Sequence, residues 1–334
     1  MSRKLRWGVL GVAGIAVNKV IPAMRRCETC EVTAIASRDI DKAAKAAQEL
    51  GIAGYFGSYE AMLEDPEIDV VYNPLPNHLH VPWSIRALEA GKHVLCEKPL
   101  GLSTAEVRTL IEARDRCGRQ AGEAFMVRTH PQWLRVKQLI DAGEAGRLRS
   151  IAAWFSYDNR DPQNVRNIAA YGGGGLMDIG CYAIFISRFL FGEEPVRVSG
   201  AMEMDPQFGT DRLASAVLEF PSGHCAFTCS TQMAPAQRVV AICERARIEV
   251  EIPFNAPPDK PCRIFIDSGA DLAGGSRREE QLPVCDQYTI QGDEFSRAVL
   301  GLRPVPVPLE DSLQTIAVIE AVAASSRGPA AAGR

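Results

Sequence analysis

The sequence predicts an α/β protein of two domains, and three observations lead to this prediction. At 334 residues the chain is longer than the roughly 250–300 residues over which a single core usually extends. Between Leu5 and Glu123, apolar runs alternate with amphipathic stretches, which is typical of a parallel sheet covered by helices. After about residue 149, strand-like segments follow one another directly, which favours a mostly antiparallel sheet in an α+β domain. We therefore predict a first domain over residues 1–123 and a second, for substrate binding and oligomerisation, over residues 124–334, with packing of the C-terminal helix back on the first domain as an alternative.

The first domain is predicted to alternate strands with helices. Ser103 is expected to cap one helix, because Glu106 follows it at the spacing of a capping box. The helices are identified by apolar positions that recur at helical intervals. The predicted strands are Leu5–Gly11, Glu31–Ser37, Tyr55-Phe56, Asp69–Asn73, His93–Glu97 and Gly122–Phe125, and the predicted helices are Asp41–Leu50, His80–Ala90 and Ser103–Cys117.

The second domain is predicted to be richer in strands. Turns such as Pro221-Ser222-Gly223 separate its strands. Residues 325–334 are predicted to fray. The predicted strands are Ile151–Tyr157, Val196–Met204, Arg212–Phe220, His224–Gln232, Arg238–Ile242 and Arg263–Asp267, and the predicted helices are Gly175–Phe191, Asp293–Leu300 and Leu309–Ala323.

Composition argues against several classes of protein. The 37 Lys and Arg against 41 Asp and Glu give a net charge of −4 without a basic stripe, so nucleic acid is not an expected partner. No run approaches the roughly 18–20 apolar residues of a membrane span, so we expect no membrane partner and a cytoplasmic location. Of ten cysteines only Cys27 and Cys30 have a C-x-x-C spacing, and the second pair of a zinc site is missing. We expect structural or incidental thiols and no metal.

The segment after the first strand, Gly8-Val9-Leu10-Gly11-Val12-Ala13-Gly14-Ile15-Ala16, fits a dinucleotide-binding turn. Gly11 would make the tight turn, and Ala16 would allow the helix to pack closely on the strand. Ala13 departs from the motif where the backbone approaches a pyrophosphate, and Gly14 supplies conformational freedom beside it. The same residues also fit a glycine-rich turn with only a packing role.

The end of the second strand bears on the choice of dinucleotide. An acidic residue there would bind the ribose 2′-hydroxyl of NAD, whereas Ser37, Arg38 and Lys42 suit a 2′-phosphate. This pattern favours NADP over NAD. The alternative is that Arg38 and Lys42 are solvated residues at the start of a helix.

Polar segments also follow the strands that end at Asn73 and Glu97, where ligands bind in open α/β sheets. Lys98 precedes Pro99 in a rigid turn and is placed to polarise a hydroxyl or carbonyl oxygen. His78 and His80 are two residues apart and lack further ligands at metal spacing. We therefore expect His80 to start a helix beside a nicotinamide rather than to bind a metal.

In the second domain, a glycine run at residues 172–175 precedes the longest apolar helix. Asp178 and Tyr182 are four residues apart, so they share one helix face on which a carboxylate and a phenol can meet a substrate hydroxyl. The glycine run allows a close approach of the backbone. A flexible turn before a helix that buries Tyr182 in the core fits these residues equally well.

Together these motifs resemble the Gfo/Idh/MocA oxidoreductase family over nearly the whole chain and in the family's order. The resemblance implies a Rossmann dinucleotide-binding domain followed by an open sheet whose far face makes subunit contacts in a homodimer or homotetramer. Besides the glycine loop and the Asp178/Tyr182 helix, its motifs are Ala36-Ser37-Arg38, Asn73–His80, Glu97-Lys98-Pro99, Glu123-Ala124-Phe125-Met126, His130-Pro131-Gln132 and Gln287-Tyr288.

The resemblance also implies roles for individual residues. Lys98 would lie by the nicotinamide, with a cis peptide to Pro99. Tyr182 stands where the family often has histidine, as in the branch that resembles glucose–fructose oxidoreductase, NADP-dependent xylose dehydrogenase and dimeric dihydrodiol dehydrogenase, whereas Val127 departs from that branch's tyrosine. The implied catalytic residues are Lys98, Asp178 and Tyr182, and Arg128 joins them in binding substrate. The implied cofactor contacts are Gly11, Val12, Ala13, Gly14, Ile15, Ser37, Arg38, Lys42, Asn73, Pro74, Leu75, Asn77, His80, Glu97, Lys98, Arg166 and Tyr288.

The sequence therefore predicts an NADP-dependent oxidoreductase that transfers a hydride between the nicotinamide and an aldose or related cyclic polyol. Tyr182 would exchange the hydroxyl proton, and Lys98 would stabilise the oxyanion. Polar groups of both domains, Arg166 among them, would hold a pyranose-sized substrate between the domains. The alternatives are a trans-dihydrodiol dehydrogenase and a non-catalytic NADP-binding regulator.

Overall fold

The computed structural model describes residues 4–327 and divides the chain into two compact units. The first unit comprises the chain up to Thr129 together with Cys285–Leu313, and the second comprises His130–Val284 and the chain from Gln314 onward. The boundary thus differs from the one predicted after residue 123, and a late segment returns to the first unit. Of residues 325–334, which are predicted to fray, 328–334 lie outside the described residues.

The first unit is built on a six-stranded parallel sheet, as predicted. Its strands are β1 Leu5–Leu10, β2 Cys30–Ala36, β3 Gly54–Phe56, β4 Val70–Asn73, β5 His93–Cys96 and β6 Ala121–Glu123. Their order is β3-β2-β1-β4-β5-β6, with every neighbouring pair parallel. The order reverses at β1, and in open parallel sheets ligands bind outside the carboxyl ends of the strands at this point.

The helices of the first unit are α1 Ile21–Met24, α2 Ile40–Leu50, α3 Tyr59–Glu64, α4 His80–Glu89, α5 Thr104–Cys117 and α8 Gln287–Val299. Helices α2, α3, α5 and α8 begin at a side-chain cap, whereas α1 and α4 do not. Ser103 Oγ accepts from the Glu106 amide at 3.2 Å, as predicted. Glu106 Oε2 accepts from the Leu102 amide at 2.8 Å, one residue before the expected partner. The sequence analysis missed α3, a six-residue helix capped by Ser58.

Helix α8 explains why a late segment belongs to the first unit. Phe295 on α8 is buried and meets Trp7 of β1 edge to face, with ring centroids 5.8 Å apart. Both residues belong to one core cluster that also contains Val9 and Ile21. The core of the parallel sheet is therefore completed by residues almost 300 positions away from its first strand.

The second unit is built on an eight-stranded sheet. Its strands are β7 Leu148–Asp158, β8 Arg197–Met204, β9 Asp211–Phe220, β10 Gly223–Ser230, β11 Gln232–Cys243, β12 Arg247–Val250, β13 Arg263–Asp267 and β14 Arg277–Gln281, in the order β14-β13-β12-β11-β7-β10-β9-β8. All neighbouring pairs are antiparallel except β7 with β10. The predicted mostly antiparallel sheet is confirmed. The predicted strand His224–Gln232 is wrong at its end, because the chain turns at Thr231.

Three further helices complete the described chain. They are α6 Pro131–Asp141, α7 Cys181–Phe191 and α9 Leu309–Ser325, and a π-helical turn at Leu176–Gly180 leads directly into α7. The segment Ala169–Phe191 is long and apolar enough to cross a membrane by composition. However, 83% of its most apolar window is buried in the protein, as in the core helix of a globular protein.

Candidate active site

The glycine turn after β1 requires glycine for two reasons. Gly11 has φ +82°, and a Cβ atom there would lie 2.9 Å from Leu75 Cδ2. The Gly11 amide donates to the Ala36 carbonyl oxygen at 2.8 Å, which fixes the turn against β2. Gly14 opens the following helix, and a Cβ atom on it would come no closer to a neighbour than 3.8 Å, at Asn18 Nδ2. The turn thus leaves open space at the start of a helix, where backbone amides bind phosphate.

The carboxyl end of β2 presents two exposed cations, Arg38 and Lys42. The sequence analysis overlooked Asp39, a carboxylate at the same strand end. Asp39 Oδ1 accepts from the amides of Asp41 and Lys42 at 3.0 and 3.2 Å, so it caps α2. Ser37 Oγ accepts from the Asp39 amide at 3.2 Å. The Asp39 carboxylate is therefore engaged in capping the helix, and Arg38 and Lys42 are the exposed cations beside it.

After β4, Asn73 and His80 organise the loop. Asn73 is buried, its Nδ2 donates to the His80 carbonyl oxygen at 3.0 Å, and its Oδ1 accepts from the Leu75 amide at 3.3 Å. His80 Nδ1 lies 2.7 Å from the Pro99 carbonyl oxygen, and its Nε2 lies 2.6 Å from that of Leu75. Burial lowers the pKa of His80 to about 4, so the ring is neutral at pH 7 and donates only one of these contacts. His80 thus joins two loops through backbone oxygens and offers neither nitrogen to a metal.

The turn after β5 carries Lys98, and its peptide to Pro99 is cis, as the resemblance implied. Glu97 Oε1 accepts from the Tyr72 hydroxyl at 2.6 Å, and Glu97 Oε2 accepts from the Lys98 amide at 3.3 Å. Lys98 itself is half-buried. Tyr288 of α8 lies close enough for the charges of Glu97 and Lys98 to act on it, although burial is the main reason that its pKa is raised. The sequence analysis missed Tyr72, which orients Glu97 beneath the turn.

Arg128 follows β6, on the 3₁₀ turn Met126–Thr129. It is half-buried, and burial lowers the pKa of its guanidinium while the charge of Asp311 raises it. The carboxyl ends of parallel strands share one edge of a sheet. The structure therefore brings the predicted residues of the glycine turn, the β2 end, the β4 loop, the Lys98 turn and Arg128 to the same edge of the first unit.

In the second unit, Asp178 is the centre of a polar cluster. Its Oδ2 accepts from Arg166 Nε at 2.9 Å and from the Tyr157 hydroxyl at 2.6 Å. Asp178 is buried, whereas Arg166 keeps 45% of its side chain exposed. The Asp178 carboxylate raises the pKa of the Arg166 guanidinium. Tyr157, which lies on β7, was not predicted. Arg166 was expected to contact the cofactor or the sugar, and the structure pairs it with Asp178, which leaves that expectation a prediction.

The glycine run explains how this cluster is fixed. A Cβ atom on Gly173 would lie 2.3 Å from the Arg166 carbonyl oxygen, and one on Gly174 would lie 2.0 Å from Asp211 Oδ1. Gly174 also has φ +119°. Asp211 Oδ2 accepts from the Leu176 amide at 2.6 Å at the start of the π-helical turn that carries Asp178. Asp211 is a further positioning residue that the sequence analysis missed, and burial raises its pKa to about 7.

Tyr182 lies one turn beyond Asp178, and its ring takes the core position that was one of the two interpretations of the sequence. Its ring is buried, 5.7 Å from the Phe155 ring and 5.1 Å from the Phe254 ring between centroids. The ring thus belongs to the core of the second unit. The charge of Arg166 nevertheless acts on Tyr182, so its hydroxyl end lies near the Asp178 cluster.

Cys27 and Cys30 lie with Asp293 in a group whose sulfur and oxygen atoms are within 4.8 Å of one another. Both thiols are buried and unbridged. Asp293 Oδ1 already accepts from the Thr29 amide at 3.0 Å and from the Thr29 hydroxyl at 2.6 Å, so it holds the loop before β2. These hydrogen bonds give Asp293 a structural role, and the interpretation of Cys27 and Cys30 as structural or incidental thiols stays a prediction.

The fold and these clusters define a class of protein, the two-domain oxidoreductases with a dinucleotide-binding sheet. Residues 5–125 match the model of an oxidoreductase family with an NAD-binding Rossmann fold, and residues 133–249 match that of the GFO/IDH/MocA C-terminal domain. The chain belongs to the Gfo/Idh/MocA oxidoreductase family.

Several known proteins resemble the chain along its length. It is 48% identical to an uncharacterized oxidoreductase of Rhizobium meliloti, over 96% of this chain and 97% of that protein. It is 35% identical to an NADP(+) D-xylose 1-dehydrogenase of Haloferax volcanii, over 98% and 99%. The crystal structure of KijD10, a 3-ketoreductase from Actinomadura kijaniata in complex with NADP and TDP-benzene, superposes with a TM-score of 0.89 at 30% identity, over 97% of this chain and 98% of that one. KijD10 has also been crystallised with a lysine or a tyrosine replaced.

Proposed function

We propose that this chain is an NADP-dependent oxidoreductase that transfers a hydride between the nicotinamide and a carbon–oxygen group of an aldose or related cyclic polyol. The observation that carries the proposal is the Lys98–Pro99 turn, where a half-buried lysine lies at the carboxyl edge of a dinucleotide-type sheet. The xylose dehydrogenase and the ketoreductase that resemble the chain use or bind NADP, which supports the choice of cofactor.

The first unit fits a dinucleotide on its own geometry. At Gly11, the side chain of Leu75 leaves no room for a Cβ atom. At Gly14, by contrast, there is free space beside the backbone. Arg38 and Lys42 give a 2′-phosphate two cationic partners, because the carboxylate of Asp39 is turned into its cap. When bound there, NADP supplies the acceptor or donor of the hydride. The chain's own residues bind and orient the reactants and move the proton.

We expect Arg38→Ala to weaken NADP binding about tenfold or more and to leave NAD binding nearly unchanged. The substitution removes a charge-assisted contact to the 2′-phosphate, and such contacts contribute about 1.5–3 kcal/mol. Calorimetric titrations of both dinucleotides measure the effect. Arg116→Ala is the matched control, because Arg116 is an exposed arginine that pairs with Glu89 on the surface. Equal affinities of the unmodified protein for NAD and NADP would contradict the assignment.

The proton and the charge of the reaction are assigned to two residues. During oxidation, the carbon-bound hydrogen leaves as a hydride with its electron pair, and the hydroxyl proton passes to Tyr182 Oη, which accepts it as the phenolate and becomes the neutral phenol. The Lys98 ammonium stabilises the negative charge that develops on the substrate oxygen. In the reverse direction, Tyr182 returns the proton to the oxygen of the keto group. Both residues therefore contribute most in the transition state, not in ground-state binding.

The Asp178 cluster supports a polyhydroxylated substrate. A carboxylate and a guanidinium held 2.9 Å apart present acceptors and donors side by side, which matches neighbouring hydroxyl groups on a sugar ring. Such a fixed polar site rejects analogues that lack a bonded hydroxyl, because its own polar groups are then left unpaired.

We expect Asp178→Asn to raise the KM for the sugar about tenfold, while NADP affinity stays within twofold. Asparagine keeps one oxygen acceptor for Tyr157 or Arg166 but loses the charge that strengthens both bonds, which contribute roughly 1.5–3 kcal/mol each. Initial-rate kinetics and cofactor titration separate the two quantities. Asp158→Asn is the control, because Asp158 is an exposed carboxylate that pairs with Arg160. An unchanged KM would remove Asp178 from substrate binding.

One screen tests the function as a whole. The purified chain is incubated with NADP and a panel of aldoses, cyclic polyols and aromatic dihydrodiols, and with NADPH and keto sugars, while the absorbance of the reduced nicotinamide is followed. We expect turnover with at least one sugar or polyol. Turnover only with aromatic dihydrodiols would overturn the substrate class. Binding of NADP without turnover of any compound would instead favour a regulatory protein.

A further inference from the structure

The first unit contains a small cavity at the end of β6. Glu123, the last residue of that strand, is one of the residues that line it. Its walls are mostly apolar, and the acid or amide side chains that line it are those of Glu123 and Gln291. It offers about 10 Å³ of space, which is close to the room that a single water molecule needs. Glu123 is 3% exposed and Gln291 is 7% exposed.

The two polar side chains leave buried oxygen atoms without a partner. Glu123 Oε2 and Gln291 Oε1 make no hydrogen bond in the structure, and both are shielded from solvent. A buried acceptor that stays unpaired is costly, so sites of this kind usually hold an ordered water. A water in the cavity would satisfy both oxygens at once.

The other carboxyl oxygen of Glu123 is bonded to the Lys98 turn. Glu123 Oε1 accepts from the Leu100 amide at 2.8 Å, in a buried position. The carbonyl oxygen of the same peptide group, that of Pro99, lies 2.7 Å from His80 Nδ1. The N–H and the C=O of the peptide group between Pro99 and Leu100 are therefore both held by buried side chains, those of Glu123 and His80. This peptide group is separated from Lys98 only by the proline ring.

The surroundings favour the uncharged acid. The pKa of Glu123 is raised to about 8, mainly by burial and also by the charges of Asp311 and Glu97, while hydrogen bonds from the Ser312 hydroxyl and the Leu100 amide act in the opposite direction. Arg128, on the turn that follows β6, interacts electrostatically with Asp311. A neutral carboxyl group has one acceptor oxygen for Leu100 and one O–H donor for a water.

We infer that Glu123 is a positioning residue that, as a buried carboxylic acid, links the Leu100 amide through one ordered water to Gln291 and so fixes the turn that carries Lys98. The chain of bonds runs from the Leu100 N–H to Glu123 Oε1, and from the Glu123 O–H through the water to Gln291 Oε1. The expected effect of Glu123 on turnover rests on the role that we propose for Lys98. Its effect on the conformation of the turn is independent of that role.

Three variants test the inference. Glu123→Gln keeps an acceptor for Leu100 and a donor for the water but cannot ionise. Glu123→Leu removes both. Ser296→Ala is the matched control, because Ser296 is also buried in the first unit with an unpartnered hydroxyl and lies on α8.

The first measurement is hydrogen exchange of the peptide that contains Leu100, followed by mass spectrometry in the NADP-free and NADP-bound protein. We expect unchanged protection in Glu123→Gln and Ser296→Ala, and at least tenfold faster exchange in Glu123→Leu. Equal protection in all three variants would overturn the inference, whether or not a substrate is known.

The second measurement is the pH dependence of unfolding. The pKa of Glu123 is raised in the folded state, so its contribution to stability is complete below about pH 4.5 and is lost as the pH rises through about 8. Over this range, the unfolding equilibrium constant of the unmodified protein should increase relative to that of Glu123→Gln by up to about tenfold per pH unit. Parallel curves for the two proteins would overturn the neutral-acid assignment, and this readout remains available if Glu123→Leu does not fold.

The third measurement is steady-state kinetics with the substrate from the screen. We expect Glu123→Leu to lower kcat about 10–100-fold with little change in NADP affinity, because a small displacement of a catalytic group has effects of this size. If the exchange result holds and kcat is unchanged, Glu123 does not position Lys98 for chemistry. If no substrate is turned over, the proposed function fails, and the exchange and unfolding data still decide the structural part.

Discussion

Replacement of Lys98 by methionine is expected to lower kcat by about 10²–10⁴, with little change in NADP affinity or in the melting temperature. Methionine is unbranched and similar in length, so it keeps the packing of the aliphatic part of the side chain and removes only the ammonium. The backbone of the turn around Lys98 is held by Glu97 on the Lys98 amide and by His80 on the Pro99 carbonyl oxygen.

Lys92→Met is the control for Lys98→Met, because it makes the same substitution at a lysine with a structural role. Lys92 is buried, and its Nζ donates to the carbonyl oxygens of Asp65 and Ile68 at 2.6 and 2.9 Å. Its loss leaves buried acceptors unpaired, so we expect a lower melting temperature and a nearly unchanged kcat. The two variants together separate a chemical lysine from a structural one. A Lys98→Met protein with kcat within threefold of the original, or one that mainly loses thermal stability, would contradict the proposed role.

The strands and helices could be predicted from the sequence where their buried residues form a regular pattern of apolar positions. The central strands of the parallel sheet are short apolar runs, and each was predicted to within two residues of its bounds. Strand β14, with the sequence Arg-Arg-Glu-Glu-Gln, has no apolar alternation. It is held beside β13 by backbone pairing and by ion pairs such as that between Arg263 and Glu279. Only the tertiary structure reveals a strand of this kind.

The same distinction applies to the candidate site. The resemblance placed Lys98, Asp178 and Tyr182 on the elements that the structure now describes. Their partners were not predicted, because each lies far away in the sequence: Tyr72 is 25 residues from Glu97, Tyr157 is 21 from Asp178, and Asp211 is 35 from Leu176. Contacts of this range depend on strand register and helix placement, which no local motif encodes.

The predicted domain boundary illustrates a third kind of limit. The change of rhythm after about residue 149 is a local signal, and the predicted strand Gly122–Phe125 overlaps the last strand of the parallel sheet. The return of Cys285–Leu313 to the first unit depends on the packing of Phe295 against Trp7, a contact between the two ends of the chain. An amphipathic helix shows that it has an apolar face, but its sequence does not tell which core covers that face.

Tyr182→Phe is the second large effect that we expect, a loss of about 10²–10⁴ in kcat while the fold is retained. Phenylalanine preserves the ring and therefore its contacts with Phe155 and Phe254 in the core of the second unit. Only the hydroxyl is lost. Because the ring contacts account for the packing, the melting temperature should fall by a few degrees at most.

Tyr157→Phe tests whether the proton transfer belongs specifically to Tyr182, because it removes a different hydroxyl group from the Asp178 cluster. The Tyr157 hydroxyl donates to Asp178 Oδ2 at 2.6 Å, so its loss should loosen the carboxylate and raise the KM for the sugar more than it lowers kcat. Pre-steady-state measurements of the hydride step with a deuterated substrate show whether chemistry has become rate-limiting in each variant. If Tyr182→Phe turns over almost normally while Tyr157→Phe does not, proton transfer belongs to Tyr157. If both variants turn over normally, proton transfer is assigned to Lys98 or to a water. Tyr182 is then a core residue beside the site without a chemical role.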